Sequence, residues 1–459
     1  MKQKKGQQID RRNFLTKSGA AVIAGTILPG SKLSGMSIKE AGDVPLRTLG
    51  RTGFKVYPVA MGGFCQTANV FKYAMDMGVN HIDTAEAYFR GNSERTVGKA
   101  IAGVDRNKLF ISTKLWIEPG DTRESILERY RKCLERLGSD YYDALYSHGV
   151  EKKQMLNHKG FHEAVAQLKS EGRVKHAGIS CHGPEDDGKD SFEDILMAAA
   201  GDGRFDLMLF SYNFMNKDEA GRVIRFCKEK NVGAVAMKTA PGIESPFGED
   251  SGLEPLDPMD ENNLSKGQEE FLKEIIEEDN LSRQEALEEI SVRIDEYNSE
   301  LKNAEPYIMK YGATTAEELR KVSLKWVLEN PDMNTVTITM DSFSAVDTFV
   351  PMAVQSLSQY EREMIRDYAS TFNNKYCRHG CSACVEACPH KLPVSRIMRY
   401  AYYFRLQGRE KYAMTKYLEM ADRNADLCRN CEAPCLGACP HGVNIQANLL
   451  KAHRNLTLA

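Results

Sequence analysis

The sequence predicts an α/β fold, a (β/α)8 TIM barrel, followed by a smaller and mainly helical C-terminal module. Three observations support this prediction. Apolar runs of strand length alternate with longer amphipathic segments from residue 56 onward. There are eight such runs, the number that a closed parallel barrel needs. Eight of the twelve cysteines lie beyond the last run, between Cys377 and Cys439. An open, doubly wound sheet is the alternative for the α/β part.

Size and composition limit the classes of protein that the chain can belong to. Its 459 residues exceed one ordinary core, which favours two domains or a large barrel with attachments. Hydrophobic residues make up 42% and charged residues 27%, the balance of a globular protein. The net charge of −3 gives no support to nucleic-acid binding, which usually needs a basic surface. No run of 18 apolar residues occurs, so we expect no membrane span beyond an uncleaved signal.

Residues 1–43 are interpreted as a signal and linker. A basic start is followed by Arg11-Arg12, then Phe14-Leu15, then a short apolar run over residues 20–28. This pattern resembles a twin-arginine signal, which carries folded proteins across the bacterial membrane. We therefore expect export, to the periplasm, with the fold beginning near Val44. A disordered basic tail on a cytoplasmic protein is the alternative, and no clear cleavage site distinguishes a removed signal from an anchor.

The barrel is predicted over residues 44–365. Its strands are expected near residues 56–61, 79–83, 109–113, 143–147, 176–180, 207–212, 233–237 and 334–339. Helical periodicity occupies the intervals, for example from Thr122 to Leu137.

Four polar residues follow the ends of the predicted strands. Asp83, Lys114 and His148 come directly after the second, third and fourth strands, and Tyr88 lies five residues beyond Asp83. Such strand ends carry function in a barrel of this kind. Each residue alone also has an ordinary role, as a helix cap, a solvated loop end or a rim histidine. Together they form a plausible acid–base set, in which a lysine ammonium lowers the pKa of a tyrosine and an aspartate orients the lysine.

These residues lie in segments that resemble the aldo-keto reductase family. The resemblance covers residues 45–53 (PLRTLGRTG), 81–88 (HIDTAEAY) with 92–94 (NSE), 112–114 (STK), 146–148 (YSH), 171–180 (EGRVKHAGIS) and 325–328 (KWVL). It implies an NADP-linked reductase or dehydrogenase in which Tyr88 is the general acid and His148 orients the substrate oxygen. It also implies that Ser180 and Tyr212 contact the nicotinamide, although a core position is the alternative for Tyr212.

The chain departs from the family at the nucleotide contacts. Cys181 stands where the family places a carboxamide-binding asparagine, and Leu209 or Ser211 replaces a glutamine with the same task. Ala345 occupies the place of the arginine that holds the adenosine phosphate, and Phe349 that of a downstream asparagine or glutamate. The acid–base set is therefore complete while the nucleotide contacts are reduced.

An acidic insertion is predicted at about residues 242–313. Residues 242–305 contain 20 acidic and 5 basic side chains. Ser282 and Glu285 form a capping-box pattern, and apolar residues at helical spacing follow, so a helix of about 20 residues is expected. The insertion is interpreted either as a lid over the pocket or as a decoration that docks a partner.

The C-terminal module, residues 366–459, contains two cysteine quartets that each end in Cys-Pro. The quartets are Cys377, Cys381, Cys384 and Cys388, then Cys428, Cys431, Cys435 and Cys439. They resemble the ligand runs of two-cluster ferredoxins, which implies two 4Fe-4S clusters. By that analogy the first three cysteines of each run share a cluster with the last cysteine of the other. Two zinc sites are the alternative. A single helix is expected from Ser395 to Met420, and the module resembles an extension found on some aldo-keto reductases.

The combined prediction is an iron–sulfur oxidoreductase that interconverts a small-molecule carbonyl and an alcohol and exchanges electrons with a redox partner protein. Two alternatives remain. One is an electron-transfer protein that uses the barrel as a scaffold, and the other is a sugar or polyol lyase or epimerase with a retained cofactor.

Overall fold

A computed structural model describes residues 44–184, 190–241, 255–260, 262–279, 281–312, 314–378 and 380–457. The twin-arginine pattern and part of the acidic insertion lie outside these described residues. Within them, no helix has the length and apolar character needed to cross a membrane.

Eight parallel strands close into a barrel, so the predicted fold class is confirmed. The strands are β3 (Val59–Gly62), β4 (His81–Asp83), β5 (Phe110–Leu115), β6 (Tyr142–Ser147), β7 (Val174–Cys181), β8 (Leu207–Ser211), β9 (Gly233–Met237) and β10 (Thr335–Ile338). Each strand pairs with the next along the chain, and β10 closes the ring by pairing with both β9 and β3. Each of the eight predicted runs contains most of one of these strands.

A short antiparallel hairpin, β1 (Arg47–Thr48) and β2 (Lys55–Val56), covers the N-terminal end of the barrel. The Arg47 guanidinium donates hydrogen bonds to the carbonyls of Leu328, Asn330 and Met333, just before β10 begins. Leu49 and Val56 pack with Leu207 and Val235 in the barrel interior. This end is therefore closed, which leaves the C-terminal ends of the strands for the site.

Helices surround the barrel and form the C-terminal module. They are α1 (Ala68–Asp76), α2 (Asn92–Ile101), α3 (Arg123–Leu137), α4 (Lys159–Ser170), α5 (Phe192–Asp202), α6 (Lys217–Glu229), α7 (Lys266–Asp279), α8 (Arg283–Tyr311), α9 (Ala316–Leu328), α10 (Phe343–Phe349), α11 (Gln359–Thr371), α12 (Val394–Leu406), α13 (Glu410–Leu418), α14 (Cys435–Ala438) and α15 (Ile445–Leu456). Helix α3 begins after a capping box at Thr122 and lies in the interval where the periodicity predicts a helix.

The acidic insertion contains α7 and α8. The capping box at Ser282 is present, but α8 has 29 residues, more than the predicted 20 or so, because its C-terminal half gains apolar partners. Leu301, Ala304 and Tyr307 on that half pack in one cluster with Tyr368 and Phe372 of the α11 region. The first half of α8 forms a separate small core with α7. In the described residues the insertion is thus a packed extension of the helical layer.

The segment expected to be one helix from Ser395 to Met420 is two helices, α12 and α13. The prediction was wrong at the break, where Gly408 adopts a φ of +57°. This left-handed conformation ends a right-handed helix, and glycine adopts it without steric cost. The two helices pack on α15 around a core that includes Ile397, Tyr417 and Leu449.

Candidate active site

The four strand-end residues meet at the C-terminal end of the barrel. Asp83 ends β4, Lys114 lies in β5, and His148 directly follows β6. The Lys114 ammonium lies 2.6 Å from Asp83 Oδ2 and 3.3 Å from the Tyr88 hydroxyl, and it also donates to the Thr84 carbonyl. The rings of Tyr88 and His148 lie edge to face, with centroids 5.9 Å apart. The structure therefore brings together all four residues of the predicted acid–base set.

Three further residues hold this set in place, and the sequence reasoning did not single them out. Ser112 donates a 2.7 Å hydrogen bond to Asp83 Oδ1, which fixes the carboxylate that faces Lys114. The Trp116 ring stacks on His148 at 4.2 Å between centroids, and the Phe64 ring lies 4.4 Å from that of Tyr88. Ser112 and Trp116 lie two residues before and two residues after Lys114, so their side chains are on the same face of the chain as that of Lys114. This two-residue spacing is the sequence signal that could have identified them.

Burial sets the protonation states of the site. It raises the pKa of Tyr88 above the ordinary tyrosine value, although Lys114 acts in the opposite direction. The lowered tyrosine pKa expected from the sequence is therefore wrong, because the loss of water around the ring outweighs the effect of the ammonium. Burial opposes the charge on Lys114, but the Asp83 carboxylate and Tyr88 outweigh it and raise the lysine pKa. Burial, with Lys114 and Arg409 nearby, holds the pKa of His148 well below its ordinary value. The site at neutral pH thus contains a protonated tyrosine, an ammonium–carboxylate pair and a neutral imidazole.

The predicted nicotinamide contacts lie in different surroundings. Ser180 is buried in β7, and its hydroxyl accepts a 2.9 Å hydrogen bond from the Gly149 N–H, beside His148. The Tyr212 ring instead packs on Trp326, and its hydroxyl accepts a hydrogen bond from Asn330. Together with residues of α6, these three side chains line a cleft in the helical layer. Ser180 is therefore next to the acid–base set, while Tyr212 is in the surrounding layer.

The positions at which the chain departs from the family pattern are also apolar in the structure. The Cys181 side chain is fully buried in the main hydrophobic core, where burial raises the pKa of its thiol to about 12. Leu209 packs in the barrel interior, and Phe349 packs in the core with Ala345 against it. Of the positions that the family resemblance assigns to nucleotide contacts, Ser180 is thus polar and Cys181, Leu209, Ala345 and Phe349 are apolar.

The C-terminal module packs on the same face of the barrel. Arg396 and Arg399 of α12 form ion pairs of 3.0 and 3.5 Å with Glu151, which follows β6. Lys238, directly after β9, donates a 3.2 Å hydrogen bond to the Tyr403 hydroxyl of α12. Arg409, between α12 and α13, lies over the Phe64 ring at 4.4 Å. No local sequence pattern indicated these contacts, because each joins segments that are far apart along the chain.

The eight C-terminal cysteines fall into two groups. Four of them line one cavity: Cys377, Cys381, Cys384 and Cys439. The pKa of Cys428 is raised to about 12 by burial and then by three neighbouring cysteines, which complete the second group: Cys388, Cys431 and Cys435. These are the two sets that the ferredoxin resemblance implies.

The donor chemistry of each group fits an iron–sulfur cluster, which takes four thiolates. Backbone N–H groups of Leu392 and Val443 also donate to the sulfurs of Cys388 and Cys439, at 3.5 and 3.4 Å. In the described residues, no three His, Cys, Asp or Glu side chains are close enough to hold a single metal ion.

Comparison with known proteins places this chain in a family. Residues 64–369 match the aldo/keto reductase family. A putative voltage-gated potassium channel subunit beta from Schizosaccharomyces pombe is 34% identical over 158 residues, 30% of this chain and 45% of that protein. The methylglyoxal reductase DkgB of Salmonella typhi is 33% identical over 111 residues, 24% of this chain and 40% of the reductase. The chain thus spans less than half the length of these relatives.

Solved structures of aldo-keto reductases are also similar to this chain. The holo form of aldo-keto reductase AKR11C1 from Bacillus halodurans superimposes with a TM-score of 0.47 at 20% identity, covering 71% of this chain and 96% of that one. An aldo/keto reductase from Klebsiella pneumoniae, solved with NADP and acetate, gives 0.45 at 17% identity, covering 71% and 95%. Since the family match spans most of the chain and includes the four strand-end residues, the protein belongs to the aldo/keto reductase family.

Proposed function

We propose that this aldo/keto reductase is an NADP-linked oxidoreductase that interconverts a small-molecule carbonyl and an alcohol, with Tyr88 as general acid and base. The observation that carries the proposal is the position of the Lys114 ammonium, which contacts both Asp83 and the Tyr88 hydroxyl in a buried site. A charge held there favours a developing phenolate, so it assists proton release by the tyrosine.

Each residue of the site has one task in carbonyl reduction. Neutral His148 donates a hydrogen bond to the carbonyl oxygen and aims it at the Tyr88 hydroxyl. Tyr88 gives its proton to that oxygen, and Lys114 stabilises the phenolate that remains. Asp83, fixed by Ser112, keeps the lysine charged and in place. NADPH, when bound, would supply the hydride, and Ser180 would hold its carboxamide. Phe64 packs against the Tyr88 ring and Trp116 stacks on the His148 ring, which helps to hold both rings in place.

The module adds a one-electron function to this proposal. Cys377, Cys381, Cys384 and Cys439 would hold one 4Fe-4S cluster, and Cys388, Cys428, Cys431 and Cys435 would hold the other. Such clusters transfer single electrons, which in this protein would pass to or from a redox partner protein. The twin-arginine pattern at Arg11-Arg12 supports a periplasmic location, reached by a route that carries proteins already folded around their cofactors.

An electron-transfer protein with the barrel as scaffold is the second candidate function. The apolar residues Ala345 and Phe349 at the family's phosphate-binding places favour it. A lyase or epimerase with retained nucleotide is a further candidate, and it would turn over substrate without added NADPH.

An NADPH titration of the anaerobically purified, cluster-loaded protein separates these functions. Saturable binding, followed by nucleotide fluorescence with NADH as control, is expected from a reductase. Absence of binding, with intact cluster absorbance and no nucleotide released on denaturation, would favour the electron-transfer function.

The Tyr88→Phe variant tests the acid directly. It removes the transferable proton and leaves the ring contact with Phe64, so kcat for carbonyl reduction should fall by about 10²–10⁴-fold. NADPH affinity should stay close to that of the parent protein. Parental activity in Tyr88→Phe would contradict the proposed mechanism.

A further inference from the structure

Two basic side chains in the described part of the chain lie at the mouth of the barrel without a carboxylate partner. Lys238 comes from the barrel, directly after β9, and Arg409 comes from the C-terminal module. Neither forms an ion pair within 4 Å in the part of the chain that the structure describes. Three other cations at this face are paired: Lys114 with Asp83, and Arg396 and Arg399 with Glu151.

Lys238 and Arg409 both lie over the Tyr403 ring. The Lys238 ammonium lies 5.1 Å from the centre of the Tyr403 ring, and the Arg409 guanidinium lies 4.8 Å from the same centre. Arg409 also lies over Phe64, whose ring contacts that of Tyr88. Phe64 thus contacts both Arg409 of the pair and Tyr88 of the acid–base set.

This arrangement is electrostatically unfavourable without a counter-charge. Burial and the nearby Arg399 and Arg409 hold the pKa of Lys238 well below its ordinary value. Lys238 also adopts a φ of +53°, a left-handed conformation that costs free energy in a residue with a side chain. Arg409 is half-buried between rings, where cation–π contacts offset only part of its lost hydration. Repulsion and strain of this kind are typical of sites whose missing charge comes with a ligand.

We propose that Lys238 and Arg409 form an oxyanion-binding site that takes a carboxylate or phosphate group of the substrate. The substrates are then anionic carbonyl compounds, with the charged group held at Tyr403 and the carbonyl directed to Tyr88. This inference rests on the proposed reductase function and specifies its substrate class. It also makes the module part of the substrate pocket, since Arg409 comes from beyond the barrel.

The test compares two aldehydes with the same four-carbon chain, anionic succinic semialdehyde and neutral butanal. Full-length, cluster-loaded wild-type protein should have a kcat/KM at least tenfold higher for succinic semialdehyde. Arg409→Met and Lys238→Met should each lower that ratio by tenfold or more, and Arg409→Lys should restore most of it. The control is Arg225→Met, which removes an exposed positive charge from α6 at the cleft beside Tyr212. Raising the ionic strength with wild-type protein should lower the ratio without any substitution.

The effects of the substitutions on the two aldehydes either support or overturn the oxyanion-binding site. Equal losses for the two aldehydes would overturn it, as would an effect of Arg409→Met confined to the KM for NADPH. If wild-type protein reduces neither aldehyde, the reductase function fails, and calorimetry with inorganic phosphate then tests the site alone. Phosphate binding that weakens tenfold in Arg409→Met and Lys238→Met, but not in Arg225→Met, would support the site. No binding to wild-type protein would overturn it.

Discussion

The Lys114–Asp83 ion pair is fully enclosed, so its two charges depend on each other for stability. Lys114→Met would leave the Asp83 carboxylate buried with the Ser112 hydroxyl as its remaining close partner. Removing one member of a buried pair typically costs about 3–5 kcal/mol, because the other charge stays without compensation. Urea unfolding should therefore show a large loss for Lys114→Met. Lys132→Met, which removes an exposed lysine paired with Glu128, should change the unfolding midpoint little, and equal losses would contradict this account.

His148 should remain neutral through the pH range in which a histidine ordinarily titrates. Its pKa in the folded protein is held well below the usual value of about 6.5 by burial, Lys114 and Arg409. We expect kcat/KM for carbonyl reduction to show no inflection near pH 6.5. An inflection there that disappears in His148→Asn would refute the neutral imidazole.

The lowered pKa of His148 also determines how its contribution to the free energy of unfolding changes with pH. Below about pH 6.5 the unfolded chain binds a proton at His148 that the folded protein excludes. The contribution of His148 to the free energy of unfolding is therefore present above that pH and is lost as the pH falls. His148→Asn should weaken the loss of stability between neutral and mildly acidic pH.

The sequence predicted the acid–base residues because each is fixed by its place at a strand end. The alternation of strands and helices makes the strands parallel, which brings Asp83, Lys114 and His148 to the C-terminal end of the barrel. Lys238 and Arg409 could not be found in this way. Their meeting depends on how α12 docks on the barrel, and no periodicity within either segment encodes that packing.

The alternation of side chains along β8 explains the position of Tyr212. Leu207 and Leu209 face the barrel interior, whereas Met208 and Phe210 face the helical layer. A period of two therefore turns Tyr212 outward, towards Trp326. The predicted strand over residues 207–212 was correct. The sequence of this run alone does not show which side chains face the interior, because that depends on how β8 pairs with β7 and β9.

The loop after β7 and the first cysteine loop approach each other at two glycines. A Cβ atom on Gly380 would lie 2.6 Å from the Cα atom of Gly183, closer than side chains can pack. Gly380→Ala should therefore separate the two loops, lower stability by about 1–3 kcal/mol and increase proteolysis within the module. Gly103→Ala is a matched control, because Gly103 has a φ of +82° against +84° for Gly380 but open space around it. If both variants lose the same stability, backbone strain alone explains Gly380.

The two cysteine groups give a prediction for the whole module. Each group joins three cysteines of one run to the last cysteine of the other, so in the proposed two-cluster module one substitution should affect one cluster. Cys439→Ser and Cys388→Ser should each lower bound iron and sulfide by about half, measured chemically and by electron paramagnetic resonance. Cys227→Ser, at a buried thiol in the barrel core, is the control and should retain all the iron. Complete loss in one variant and none in the other would contradict this grouping.

The position of Arg409 along the chain also bears on when the proposed substrate selectivity can first arise during synthesis. Tyr88 and Lys114 leave the ribosome well before Arg409 and the second cysteine run, because they precede them along the chain. A nascent barrel would therefore carry an acid–base set whose mouth is open to water and lacks one of its two anchoring cations. Translation products that stop before residue 409 should fold a barrel that discriminates poorly between charged and neutral carbonyl compounds. In the proposed enzyme, selective turnover would begin only when the segment that carries Arg409 has docked on the barrel.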